Sequence, residues 1–286
     1  MDDEIRKYDR TSTFLNDCKI YLMQNECENN VILGICNRFL NESIDLEKSI
    51  LIATIDKNGT IISCAVTTDN KPALATFITE SDAAIKPLVD YFHCHQINLK
   101  GVTGKIAIVN GFLKMYSKPI VQSTVLLLNI IKDLKNIELV QNSELKLATM
   151  QDLPILTVWL KNFQIDAGLL PLKPDEETRA TTENKIQKKL LYKLVVNDDQ
   201  QIVSMVAIAR ETDNFAILSW VYTPSNLRNK GFASTAVYKL TDLVINTQQK
   251  HCALFTDKLN PTSNKIYQNI GYEPVAEYLD IDFDTL

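Results

Sequence analysis

The residues best suited to chemistry lie between Arg228 and Ala233, where Arg-Asn-Lys-Gly-Phe-Ala brings two cations, a glycine and a small residue to the front of a helical pattern. An apolar run, Phe215 to Tyr222, precedes them and stops at Thr223-Pro224. Strand, polar loop and helix start, in that order, suit a diphosphate. The first N–H groups of a helix have no intrahelical acceptor and carry partial positive charge. Gly231 and Ala233 let a bulky anion approach the backbone, while Arg228 and Lys230 add full charges. A glycine turn before a helix is also a common capping device, so this stretch alone is only moderately specific. A second stretch follows the strand-like Leu254-Phe255-Thr256. It runs from Asn260 to Tyr272 and carries Ser263 and Tyr267 in a short helical pattern.

Arg228-x-x-Gly231-x-Ala233, directly after Val221-Tyr222-Thr223-Pro224, resembles the acetyl-CoA signature of the GNAT superfamily of N-acetyltransferases, Gln/Arg-x-x-Gly-x-Gly/Ala. Asn260-x-x-Ser263-x-x-x-Tyr267-x-x-x-Gly271-Tyr272 is similar to that superfamily's next element, Asn-x-x-Ser/Ala-x-x-x-Tyr-x-x-x-Gly-Phe/Tyr. Two ordered motifs at the family's spacing make the resemblance specific, and it covers the chain from about residue 140 onward.

The resemblance implies acetyl-CoA as co-substrate. It implies that Val221 and Thr223 pair with the pantetheine arm, and that Asn229, Lys230, Gly231, Phe232, Ala233 and Ser234 surround the pyrophosphate, with Arg228 beside them. A backbone N–H near Val221 or Tyr222 would stabilise the carbonyl oxygen, Asn260 would hold a cofactor amide, and Tyr267 would give a proton to the departing thiolate. Each residue also has a plainer role. Val221 fits a buried strand, Tyr267 a core aromatic, Ser263 a helix cap, and Arg228 and Lys230 solvated charges.

No general base is assignable: β-strand neighbours offer only Ser219 and Tyr222, Glu277 and Asp280 either face the cleft or are solvated, and His251 fits a surface position. By resemblance the amine acceptor lies against Trp159 to Thr182. There Asp166, Asp175, Glu176 and Glu177 either attract a cationic amine or are simply solvated.

Composition narrows the function classes. A chain of 286 residues exceeds one domain of about 100–200 residues, so two are expected. A formal net charge of -5 argues against a general nucleic-acid binder. No apolar run approaches the ~20 residues that span a bilayer, and Met1-Asp2-Asp3-Glu4 is unlike a signal peptide. A cytoplasmic protein with its six cysteines as thiols is the expectation. His93-Cys94-His95 lacks a fourth ligand and does not read as a zinc site.

Periodicity predicts two helices over residues 11–42, then a hairpin around Asp56-Lys57-Asn58-Gly59, a strand from Ala73 to Thr79, and a helix from Ser81 or Asp82 toward His95. This order is GNAT-like but lacks a first strand, and residues 100–131 would add a helix and a strand. The first half reads as a degenerate second copy. Ile78 to Ala84 has no Gly-x-Gly/Ala and brings Glu80 and Asp82 to the phosphate position, so this half is not expected to bind coenzyme A. Gly101-Val102-Thr103-Gly104-Lys105 has the wrong spacing for a P-loop.

Asn136 to Glu144 reads as a linker. Beyond it come an edge strand at Leu145–Ala148, helices at Leu153–Phe163 and Glu176–Leu190, and three strands ending at Tyr222. The motif helix, the strand Ala253–Thr256, the helix Ser263–Ile270 and a last strand or hairpin within Val275–Phe283 complete the order. The expected fold is α/β (α+β), with two GNAT-like domains at 1–138 and 140–286, each a mixed, mostly antiparallel sheet flanked by helices.

The leading activity is N-acetyl transfer from acetyl-CoA to a primary amine of a small molecule or protein. A non-catalytic acyl-CoA-binding regulatory module is the competing class. The first half also suits an interaction or dimerisation platform, so a homodimer fits, whereas nucleic-acid and membrane partners do not.

Overall fold

The computed structural model describes residues 3–42, 49–68, 71–76, 82–169, 172–196 and 200–284. From the N-terminus come β1 (Glu4–Tyr8), α1 (Thr11–Met23), α2 (Asn30–Glu42), β2 (Leu51–Ile55), β3 (Ile61–Thr68) and β4 (Lys71–Thr76). Next are α3 (Asp82–Cys94), β5 (Gly101–Lys105), α4 (Ile106–Met115) and β6 (Ile120–Ile131). β7 (Ser143–Leu147), α5 (Leu153–Asp166), α6 (Asp175–Gln187), β8 (Leu191–Val196) and β9 (Gln201–Glu211) follow. The chain closes with β10 (Phe215–Tyr222), α7 (Phe232–Gln248), β11 (His251–Asp257), α8 (Pro261–Ile270) and β12 (Tyr272–Phe283). Two compact units result. One comprises residues 1–128, 256–260 and 274–286, the other 129–255 and 261–273.

In the first unit β1 to β4 form an antiparallel ladder, β5 joins β4 in parallel, and β12 lies antiparallel to β5. β2 is buried along its whole length because helices cover both faces. Leu51, Ala53, Cys64 and Val66 meet α1 and α2, while the alternating Ile52, Ala65 and Leu74 meet α3 and α4. The hairpin turn forms as expected: Asp56 Oδ1 accepts the N–H groups of Asn58 and Thr60 at 2.8 Å, and Gly59 takes φ +81°.

Four features depart from the sequence reading. The strand thought missing is β1, whose Ile5 and Arg6 pair with Thr54 and Ala53. An additional strand, β5, runs through the Gly101-to-Lys105 stretch whose spacing ruled out a P-loop, and its Lys105 pairs with Glu28. The last strand belongs with the first unit rather than the second half: Tyr278 to Asp282 run against Lys105 to Gly101. A Cβ on Gly101 would sit 2.1 Å from the Ile281 carbonyl oxygen, so only glycine admits that strand, and Lys71 Nζ grips Asp282 at 2.7 Å and Asp280 at 3.2 Å. Finally, 136–144 is not a loose linker. Lys132 and Lys135 N–H bond to the Gly271 and Ile270 carbonyls, Val140 N–H to Thr235 Oγ1 at 3.1 Å, and Lys239 Nζ to the Ser143 carbonyl. Leu134, Ile137 and Val140 pack on the core under α7 and α8, so this strap is part of the second unit.

In the second unit the order is β11-β10-β9-β8-β7, with β10 and β11 parallel and the rest antiparallel. Val203, Val206 and Ile208 face α7, whereas Met205 and Ala207 face α5. No helix among the described residues is long and apolar enough to cross a membrane. The carboxylate of Glu80 and its loop, 77–81, lie outside the described residues, as does the Asp82 side chain.

Candidate active site

β10 and β11 pair from Phe215↔His251 to Leu218↔Leu254 and then part company, which leaves the far end of β10 without a paired strand on that side among the described residues. On its other side β10 carries a bulge. Ser219 faces Ala207 and Tyr222 faces Met205, three steps against two, so one extra residue sits in β10. Trp220 absorbs it at φ +54°, a left-handed backbone that costs a non-glycine residue about 1–2 kcal/mol. The extra residue also reverses the alternation of side chains. Leu218 and Val221 join the α7 core, while Trp220 and Tyr222 join the α5 core beside Trp159. Tyr222 is held there by Trp159, ring centroids 5.9 Å apart, and by Ser204 Oγ, which donates to its carbonyl at 3.0 Å. Thr223 Oγ1 donates to the same serine hydroxyl at 3.0 Å.

The loop between β10 and α7 makes a short 3-10 turn at Ser225–Leu227, then places Asn229 at φ +62° and Gly231 at φ +78°. Gly231 is the N-cap of α7, and no side chain caps the helix. The first intrahelical bond is Thr235 N–H to the Gly231 carbonyl at 2.9 Å, so the N–H groups of Phe232, Ala233 and Ser234 stand ahead of it. Gly231 and Lys230 are exposed, and Phe232, Ala233 and Ser234 are half-buried. Val140 of the strap lines this turn, its Cγ2 3.5 Å from where a Cβ on Gly231 would lie.

Arg228 differs from the expectation that its charge is held ready for phosphate. Its Nε donates to the Thr223 carbonyl at 3.0 Å, its Nη2 to Asp166 Oδ2 at 2.5 Å, and the guanidinium carbon lies 5.9 Å from the Tyr222 ring centroid. Asp166 is correspondingly occupied. Asp175 pairs with Lys161 and Glu177 with Lys173, so three of the four acids considered for attracting an amine already hold cations.

Tyr267 on α8 is buried at 9% exposure within the α7-side core, edge-on to Tyr272 with centroids 6.0 Å apart. Its phenol has no hydrogen-bond partner among the described residues, and burial pushes its pKa up from the ordinary value. The group therefore stays protonated through neutral pH: able to donate, not to accept, a proton. Ser263 is half-buried in the first turn of α8. Asn260 is exposed in the turn after β11, its N–H on the Asp257 carbonyl at 3.0 Å, and belongs to the first unit. The acids and histidine weighed as bases have partners of their own: Glu277 pairs with Lys258, Asp280 with Lys71, and His251 is exposed against Phe215. His95 stacks on Tyr91 and His93 leans on Tyr116.

Residues 196–280 match the family described as FR47-like protein. No curated protein matches the sequence significantly. Among solved structures, a GNAT-family acetyltransferase from Colwellia psychrerythraea is 14% identical with a TM-score of 0.62, over 98% of this chain and 100% of that one. A GCN5-related N-acetyltransferase from Sphaerobacter thermophilus is 12% identical with a TM-score of 0.65, covering 98% and 95%. A tandem GNAT protein from the clavulanic acid biosynthesis pathway is 8% identical with a TM-score of 0.62, covering 98% of both chains. The chain thus has the fold of the GNAT acetyltransferases, a tandem one among them, and its residues 196–280 match the FR47-like family.

Proposed function

We propose that the protein is an N-acetyltransferase that moves the acetyl group of acetyl-CoA to a primary amine. The observation that carries this reading is the parting of β10 from β11 after Leu218↔Leu254, beside the uncapped start of α7 behind Gly231. The end of β10 at Val221, beyond its last pair with β11, suits the amides of pantetheine, with Thr223 next to it and its carbonyl already taken by Arg228 Nε, and the N–H groups of Phe232, Ala233 and Ser234 suit the diphosphate. The bulge at Trp220 and Val221 is the place for an N–H aimed at the carbonyl oxygen of the thioester. Amine nitrogen would bond to the acetyl carbon as the carbon–sulfur bond breaks, the amine giving its proton to water and Tyr267 giving one to the thiolate before regaining it from solvent.

The test is calorimetry with acetyl-CoA, followed by release of free thiol across a panel of primary amines. Binding at micromolar levels with amine-dependent release is expected, and absence of heat at millimolar acetyl-CoA would remove the reading. A second reading, an acyl-CoA sensor without turnover, is favoured by the deep burial of Tyr267 and by the ion pairs that occupy Glu277 and Asp280. It predicts ligand-induced thermal stabilisation with no thiol release on any amine.

A further inference from the structure

Trp220 holds its left-handed backbone, φ +54°, where β10 has left β11 and gained its extra residue over β9. A bulky residue persists in that conformation only where its surroundings fix it, and such places gather at ligand clamps and active sites. The indole is half-buried at the rim of the α5-side cluster, in company with Trp159, Tyr222 and Phe163. Only the bulge brings it there. In an uninterrupted strand Trp220 would share the face of Leu218 and enter the α7 core.

The same ring already carries a cation. Lys185 Nζ lies 5.8 Å from its centroid, held by the Ile208 and Ala209 carbonyls at 2.7 and 2.6 Å. The carboxylates of Asp166, Asp175 and Glu177 on α5 and α6 are matched to Arg228, Lys161 and Lys173. Beside the centre proposed for acetyl transfer there is thus an aromatic wall with the Lys185 ammonium behind it, while Glu176 lies in the first turn of α6. Apolar groups are welcome against such a wall, and a second ammonium is repelled.

We propose that Trp220 selects the acceptor, its indole packing against the carbon skeleton of the amine and favouring an aryl or alkyl monoamine over a polyamine. This rests on the acetyl-transfer reading. The probes are 2-phenylethylamine and spermidine with the full chain. Trp220→Gly removes the wall while suiting the backbone, and Trp220→Phe keeps an aromatic face.

Wild type should show kcat/KM for 2-phenylethylamine at least about tenfold above that for spermidine, and Trp220→Gly should raise the KM for 2-phenylethylamine by about tenfold. Trp220→Phe should restore most of that KM, and reading KM beside kcat separates loss of the wall from any change at the bulge N–H. Should Trp220→Gly melt early, Trp220→Leu carries the same comparison. A wild-type preference for spermidine, or an unchanged KM in the wall-less variant, overturns the assignment and leaves acetyl transfer standing. Failure to bind acetyl-CoA, or no thiol release with either amine, overturns both.

Discussion

Arg228, in the loop ahead of α7, reaches Asp166 at the last residue of α5, with Nη2 and Oδ2 2.5 Å apart. The pair ties the helix on the proposed acceptor side to the loop on the proposed phosphate side. Both side chains are about half exposed, so the pair itself is worth no more than about 1 kcal/mol. Arg228→Ala should therefore weaken acetyl-CoA binding by no more than about fivefold, whereas Gly231→Glu, which puts a carboxylate and a strained backbone at φ +78°, should abolish it. Calorimetry on both variants checks the ranking; a larger loss with Arg228→Ala would mean the guanidinium leaves Asp166 for the diphosphate.

Tyr267→Phe removes a phenol that bonds to no described residue, so folding should change by less than about 1 kcal/mol. Turnover should fall by about 100-fold if the phenol is the proton donor. Thermal melts beside saturating kinetics separate the roles, and unchanged turnover would leave Tyr267 a core aromatic. Because burial raises its pKa, the folded protein keeps this proton as the unfolded chain begins to lose it near pH ~10. Its contribution to stability is complete below that pH and declines above it, which denaturant titrations between about pH 9 and about pH 11, roughly one unit either side, would register.

Asp152 and Lys193 form an enclosed ion pair of the second unit, both carboxylate oxygens 2.7 Å from Nζ. Burial pushes the Asp152 carboxyl up, but Lys193 and the Thr149 donors together hold it below the usual range. Its contribution to stability is present above pH ~4 and is lost as pH falls through the lowered folded value. Lys193→Met should destabilise by about 1–3 kcal/mol at neutral pH, and the loss should shrink in acid. Urea midpoints at two pH values measure this; equal losses at both would contradict it.

Gly271, at φ +115°, carries the strap. A Cβ there would lie 1.9 Å from the Asp133 carbonyl oxygen, against backbone that cannot swing aside. Gly271→Ala should cost about 2–4 kcal/mol and expose Lys132 to Ser143 to protease before the rest of the unit unfolds. Limited proteolysis with mass analysis would show whether that segment is cut first.

Local pattern carried most helices and the inner strands, because Leu51–Ile55, Ile61–Thr68 and Leu191–Val196 are β-branched runs between turn residues. β1 escaped it: Glu-Ile-Arg-Lys-Tyr is a charged edge strand with one inward residue before Tyr8, and charge on an edge hides the strand signal. β5 was masked by two glycines. The motif residues at 228–234 gathered around the start of α7, yet the Arg228–Asp166 pair joins positions 62 apart and leaves no trace in either local pattern. The reversal of faces at Trp220 is equally silent, since one inserted residue alters which side chains share a surface without altering their identities.

β12 gives the first unit a seam sewn from the chain's far end. During synthesis the open side of β5 waits, uncovered, until Tyr272 to Phe283 leave the ribosome, and an uncovered strand is an invitation to mispairing. Cutting the gene near codon 139 would deliver neither half whole: the front piece would lose its closing strand, and the back piece would drag it about unmated. Stop codons or bulky fusions after Ile281 should likewise injure the half of the protein made first.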